Sequence, residues 1–277
     1  MLREQVRRNN LRIAHEAPLS IMHRVQNYTD YDYALVHLFE KSDEYFNFFV
    51  EALKKGRYVM LDNSIFELGV AFDAERFAFW CDALRPDAFI IPDALEDMHK
   101  TISSCEDWFN DYGDMVGESV GVVQGKNLQE LKECYSYMSE RVDKIAISFD
   151  YSYYTDKYPL EKSVWHAWMR GRHHLLHELE SNNLINKDKP HHLLGCGLPQ
   201  EFAVYQHIPW IDTIDTSNPV AHGMHGIRYQ RQALFDIWGL DKKHPTKMCD
   251  MINDSVDNIA DVLYNIEKFS HNVSRGS

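Results

Sequence analysis

The chain has 277 residues, 44% hydrophobic and 26% charged, the composition of a globular protein with ample material for a core. No apolar run approaches the roughly 20 residues of a membrane helix. The basic start MLREQVRRNN is followed by no apolar stretch of the signal-peptide kind, so a soluble, cytoplasmic protein without membrane attachment is expected. A net charge of −13 argues against a protein held to nucleic acid by a global positive field, although a local basic face remains compatible with it.

The first thirty residues read as an extension covering one end of the fold. Beyond them, short apolar runs alternate with longer segments of helical spacing. Strands are predicted at 34–38 (ALVHL), 58–62 (YVMLD), 88–92 (AFIIP), 118–124 (ESVGVVQ), 143–148 (DKIAIS), 191–196 (HHLLGC) and 210–215 (WIDTID). Helices are predicted at 41–55, 74–84, 95–110, 127–140, 160–183 and 199–206, with a terminal helix over 249–269. This alternation specifies parallel βαβ units. Segment 224–229 (MHGIRY) is the candidate eighth strand, which would close an α/β (β/α)8 TIM barrel. No G-x-G-x-x-G follows the first strand, so the usual dinucleotide fingerprint is missing. With neither linker nor internal repeat, the chain reads as one domain, 1–277, with its barrel core at about 32–240.

Five cysteines (81, 105, 134, 196 and 249) are scattered and form no CxxC pair, the pattern of buried small hydrophobes rather than of a zinc site. The adjacent pairs His173–His174 and His191–His192 are poor chelators, because neighbours on a strand point to opposite faces. Two basic clusters stand out. Arg170, Arg172, His173 and His174 read as solvated loop. His222, His225, Arg228 and Arg231 follow directly after the last clear strand.

In a TIM barrel the chemistry collects at the C-terminal ends of the strands. Those ends carry Asp62-Asn63-Ser64, Pro92-Asp93, Gln124-Gly125, Ser148, Gly195-Cys196-Gly197 and Asp215-Thr216. Each Asp alone suits a turn or a helix cap. Their recurrence at matching positions asks for more. Two carboxylates facing a sugar can act as nucleophile and acid/base. A third could accept from two adjacent donors such as guanine N1–H and the 2-amino group, and an amide such as Gln124 can donate to O6. Glycines at a strand end let a flat ring approach the backbone. The set suits a purine joined to a sugar.

With these residues in place, the chain resembles the tRNA-guanine transglycosylases (queuine tRNA-ribosyltransferases). The best match is LLGCGLPQEFAVYQHIPWIDTIDTSNPV (193–220), similar to the family's run of Gly-x-Gly strand end, helix, and Asp with a proline four residues on. The resemblance implies that Asp215 is the nucleophile and, through MLDNSIFE (60–67), that Asp62 is the acid/base, with the adjacent Asn63 expected among the residues that bind the base. It further implies that Asp93 in IIPDALED and Gln124 in GVVQGKN hold the base, with Gly195 at the strand end, Phe66 on one face and Leu194 on the other. The match spans roughly residues 58–223. Three departures accompany it: the family's Gly-Gly-Leu-Ala-Val-Gly-Glu segment is AISFDYS (146–152), the arginine-bearing anticodon loop is VAHGMHG, and the downstream zinc site is absent, with only Cys249 in that region. A short chain that keeps the chemistry without the tRNA-reading parts looks most like the compact, virus-type DNA transglycosylases.

The expectation is therefore exchange of guanine in DNA for a free 7-deazaguanine base, with no cofactor and no metal, Arg228 and His222 contacting nucleic-acid phosphates, and dimerisation left open. The alternatives are the same reaction on tRNA, a nucleoside hydrolase, or a non-catalytic nucleic-acid-binding homologue.

Overall fold

The computed structural model describes residues 11–232 and 236–274. β1 (Arg12–His15) leads into α1 (Leu19–Val25), and β2 (Asp32–Leu35) into α2 (Val36–Phe39) and α3 (Asp43–Lys54). β3 (Val59–Asp62) precedes α4 (Ile65–Leu68) and α5 (Ala74–Leu84); β4 (Ala88–Ile90) precedes α6 (Met98–Tyr112); β5 (Glu118–Val123) precedes α7 (Leu128–Arg141). β6 (Lys144–Ile147) is followed by α8 (Ser152–Lys157) and α9 (Val164–Ser181), β7 (His191–Leu193) by a 3-10 helix (Pro199–His207), and β8 (Ile211–Thr216) by α10 (Asn218–Met224). A short antiparallel pair, β9 (Gln230–Arg231) and β10 (Trp238–Gly239), a 3-10 turn (Met248–Met251) and α11 (Ile259–Ser274) follow.

Eight parallel strands form one sheet in the order β1-β8-β7-β6-β5-β4-β3-β2, the nearly closed barrel of a (β/α)8 fold. Strands of such a sheet are covered on both faces, which is why β2, β4 and β6 are buried at every position. The main helices begin where a polar side chain caps them. Ser42, Asp73, Asp97, Asn127 and Ser163 each accept a backbone N–H three residues on, and these caps start α3, α5, α6, α7 and α9.

Three expectations are corrected. Segment 224–229 is not a strand: it closes α10 and turns at Gly226, whose φ is +69°. The missing strand is β1, inside the supposed N-terminal extension. It pairs with β8 from Arg12↔Thr213 to His15↔Thr216, so the barrel starts at residue 12 rather than near 32. Residues 1–10 of that extension lie outside the described residues. The four residues RIAH are too short to show periodicity, and only their pairing identifies them as a strand. The terminal helix also begins ten residues later than expected, after the turn formers of 252–258.

No ladder joins β1 to β2. Loop groups close this seam instead. Asp30 N–H donates to Ile13 O (2.8 Å), Asp30 Oδ2 accepts Ile13 N–H (2.8 Å), and Thr29 Oγ1 accepts His15 N–H (2.8 Å).

Candidate active site

All eight strands end on one pocket. Its lining includes Glu16, Tyr33, Asp62, Asp93, Gln124, Phe149, Gly195 and Asp215, each at or just beyond its strand's C-terminal end or, for Tyr33, within β2. Asn63, Phe66 and Leu194 line it too. Thus the structure brings together the eight residues expected to carry chemistry or base contacts: Asp62, Asn63, Phe66, Asp93, Gln124, Leu194, Gly195 and Asp215.

The two carboxylates assigned to chemistry stand in different surroundings. Asp62 Oδ2 accepts the Tyr33 hydroxyl and Oδ1 accepts Ser64 N–H, the latter because Ser64 takes a left-handed conformation (φ +61°). Burial, reinforced by Glu67, pushes the Asp62 carboxyl well above its ordinary range despite those two bonds. A carboxyl shifted in this direction favours its protonated form and suits a general acid. Asp215 is buried, and its Oδ1 receives two donors, Gly195 N–H at 3.0 Å and His192 Nε2 at 3.1 Å. Among the described residues nothing bonds its Oδ2. The other aspartate of that strand, Asp212, is structural: it pairs with Arg12 (2.7 Å) and with buried Lys144 (3.2 Å).

Between them lies an edge of amides and carboxylate. Asn63 Nδ2 donates to Asp93 Oδ1 (2.8 Å) and Gln124 Nε2 to Asp93 Oδ2 (2.7 Å), while Gln124 Oε1 accepts Glu96 N–H (2.9 Å). Each Asp93 oxygen retains a lone pair, and the Gln124 amide retains one N–H. Burial raises the Asp93 pKa to about 6 against the pull of these amides. Gly195 has φ +64°, and a Cβ there would meet the Phe149 ring at 2.5 Å, so only glycine allows this strand end to carry its N–H to Asp215 beside that ring.

Several pocket groups escaped the sequence reading. Glu16 follows β1 directly and went unseen with that strand. Burial, then Asp215, Glu67 and Asp62, push its carboxyl well above the ordinary range. Glu67, raised to about 7 chiefly by burial, sits in the quoted MLDNSIFE motif without having been singled out. Lys243 and Lys247 lie just beyond the expected barrel core of about 32–240. Lys243 Nζ lies 4.0 Å from the Phe149 ring centroid, and Lys247 Nζ donates to Phe66 O (2.7 Å), fastening 241–251 across the pocket. Phe149, in the departing AISFDYS segment, packs against Phe66 with ring centroids 5.6 Å apart.

The expected phosphate contacts fall elsewhere. His222 is buried on α10, with Nδ1 2.9 Å from Asn218 O and Nε2 3.3 Å from Lys242 O, so that neither ring nitrogen is open to a phosphate. Arg228 does not line the pocket: it pairs with Asp261 of α11 (2.6 Å) and lies over the Tyr264 ring. The cluster read as solvated loop is on α9, where Arg172 is wholly buried. It binds Glu201 (2.6 Å) and donates to Leu194 O (2.8 Å) and Gly195 O (3.1 Å). Among the described residues, no three His, Cys, Asp or Glu side chains are grouped to hold a metal ion, and no helix is long and apolar enough to cross a membrane. Compared with known proteins, the chain matches no protein-family model and no curated protein.

Proposed function

We propose that this protein is a base-exchange glycosyltransferase that replaces guanine in a nucleic acid by a 7-deazaguanine, through a covalent glycosyl ester on Asp215. One observation carries the reading: Asp62 and Asp215 reach a single pocket from β3 and β8, with the Asn63–Asp93–Gln124 edge and the apolar Phe66 and Leu194 beside them. The sequence resemblance supports the same assignment.

In this reading Asp215 Oδ2 attacks C1′ as the C1′–N9 bond breaks, and the guanine leaves with the bonding electrons and takes the Asp62 proton. The incoming deazaguanine binds in its place, loses its ring N–H proton to Asp62, and attacks C1′ to release Asp215. Two displacements at one carbon retain its configuration. Asp93 accepts from N1–H and the 2-amino group, and the remaining Gln124 N–H meets O6. The nucleotide must leave its stack to reach the pocket, at a cost of a few kcal/mol. DNA is the substrate we favour, because the stretch where the resembled family carries its anticodon-reading arginine is VAHGMHG in this chain, with tRNA the alternative.

Incubating the protein with duplex DNA or tRNA and a set of 7-deazaguanines, then resolving the nucleosides by mass, tests the proposal. The modified deoxynucleoside is expected from DNA. Asp215→Asn is expected to fold, to trap no covalent species and to exchange no base. Full exchange by that variant sinks the nucleophile assignment. Release of free sugar without base incorporation identifies a hydrolase instead.

A further inference from the structure

His192 has no role in the reading above, yet it is buried directly against Asp215. Its place follows from strand register. On β8, Thr213 and Asp215 are two residues apart and share a face; on β7, His192 pairs with Thr213, while His191 turns to the other face and bonds the Tyr135 hydroxyl at 2.8 Å. The His192 ring therefore spans the two β8 side chains, with Nδ1 3.0 Å from Thr213 Oγ1 and Nε2 3.1 Å from Asp215 Oδ1. Its face lies on the Tyr33 ring (centroids 5.8 Å, planes 21° apart), and Tyr33 is the residue that donates to Asp62.

A carboxylate oxygen only accepts, so the proton of this contact sits on Nε2, and a ring in the neutral form then accepts a hydrogen bond from the Thr213 hydroxyl at Nδ1. Burial, which outweighs the Asp215 carboxylate, lowers the pKa of the ring and agrees with that form. A neutral donor orients Asp215 without the full charge of an ion pair. Both donors to Asp215 fall on Oδ1, from His192 and from Gly195 N–H, which fixes the carboxylate plane and leaves Oδ2 as the unbonded oxygen.

We propose that His192 is the positioning residue of Asp215: its Nε2–H holds Oδ1, the Thr213 hydroxyl donates to Nδ1 and keeps the ring in place, and Oδ2 is presented for attack. The proposal rests on the transglycosylase reading for its reaction, but the contact itself is testable apart from it.

Ring-15N histidine spectra of the full chain, with His192 assigned by difference against His192→Gln, are expected to show the Nε2–H tautomer at pH 7. Thr213→Val is expected to shift Nδ1, and Asp215→Ala to move the Nε2 proton. An Nδ1–H tautomer, a cationic ring, or indifference to both substitutions overturns the proposal. In incorporation of labelled guanine into duplex DNA or tRNA, His192→Phe is expected to lower kcat about 10- to 100-fold, the range for losing a hydrogen bond to a charged group, with KM for guanine unchanged. His192→Gln keeps an N–H that reaches the same oxygen and is expected to recover most of the rate. A loss confined to KM, or a glutamine variant no better than phenylalanine, overturns it as well. A parent protein that incorporates no guanine refutes the proposed function, and the spectra still decide whether His192 holds Asp215.

Discussion

Asp93 is asked to do two things that pull against each other with pH. Its carboxyl is buried and its pKa stands at about 6 rather than the ordinary 3.8, so between those values the folded protein holds a proton that the unfolded chain releases. The sign follows: this residue's contribution to stability falls as pH rises from about 4 to about 6 and is level above. Urea unfolding of the parent and of Asp93→Asn across that range is expected to show the parent losing stability relative to the variant; the opposite slope would mean that the anion is the form the fold prefers. In the proposed reading guanine needs the ionised acceptor, so base affinity is expected to rise through the same window. Calorimetry at pH 7 is expected to find Asp93→Ala weaker for guanine and 7-deazaguanine by about 1–3 kcal/mol for each lost hydrogen bond, with adenine indifferent. Equal affinity in the two proteins would make Asp93 structural.

Two arginines of similar appearance in the sequence have opposite weights in the elements that carry them. Arg172 of α9 is buried against Glu201 and holds the carbonyls of Leu194 and Gly195, and through Gly195 it supports the strand end that faces Asp215. Removing one partner of a buried pair strands the other charge, so Arg172→Ala is expected to destabilise by about 3–5 kcal/mol and to weaken base binding in whatever folded protein remains. Arg228 joins β9's approach to α11 through a pair with Asp261 that is half open to solvent, where screening leaves little. Arg228→Ala is expected to cost well under about 1 kcal/mol in thermal or urea unfolding and to leave the salt dependence of nucleic-acid binding unaltered. A salt slope flattened by about one unit would instead return Arg228 to the phosphate track.

Closure of the barrel depends on a seam without a ladder. β1 brings Glu16 to the pocket and lies alongside β8, which brings Asp215, yet β1 is tied to the β2 side by Thr29 and Asp30 alone among the bonds described above. Asp30→Ala removes an acceptor from Ile13 N–H and is expected to speed hydrogen exchange at Ile13 and His15 ahead of the central strands, because the first opening motion is then local to the seam. Exchange that rises evenly across all strands would show that the seam does not open by itself. The charge of −13 also acts on the molecule as a whole. Binding to a polyanion must work against it, and the pocket's own cations, Lys243 and Lys247, lie among the carboxylates rather than apart from them.

The βαβ rhythm, seven of the eight strands and eight of the residues that line the pocket were legible in the chain itself. Parallel strands buried on both faces are written as apolar runs, and the residue that ends each run is by necessity at one mouth of the barrel, so Asp62, Asp93, Gln124 and Asp215 could be grouped before any fold was known. What the chain could not disclose depends on partners distant in sequence. RIAH is a strand only because β8 lies beside it, and with it came Glu16. His192 is an Asp215 partner only through the register of β7 on β8, which decides which histidine of the pair looks inward. Lys243 and Lys247 reach the site through a loop whose path no local pattern encodes. The arginines mark the same boundary: charge is a property of a residue, but burial is a property of what packs around it, and only the folded chain separates Arg172 in the interior from Arg228 at the surface.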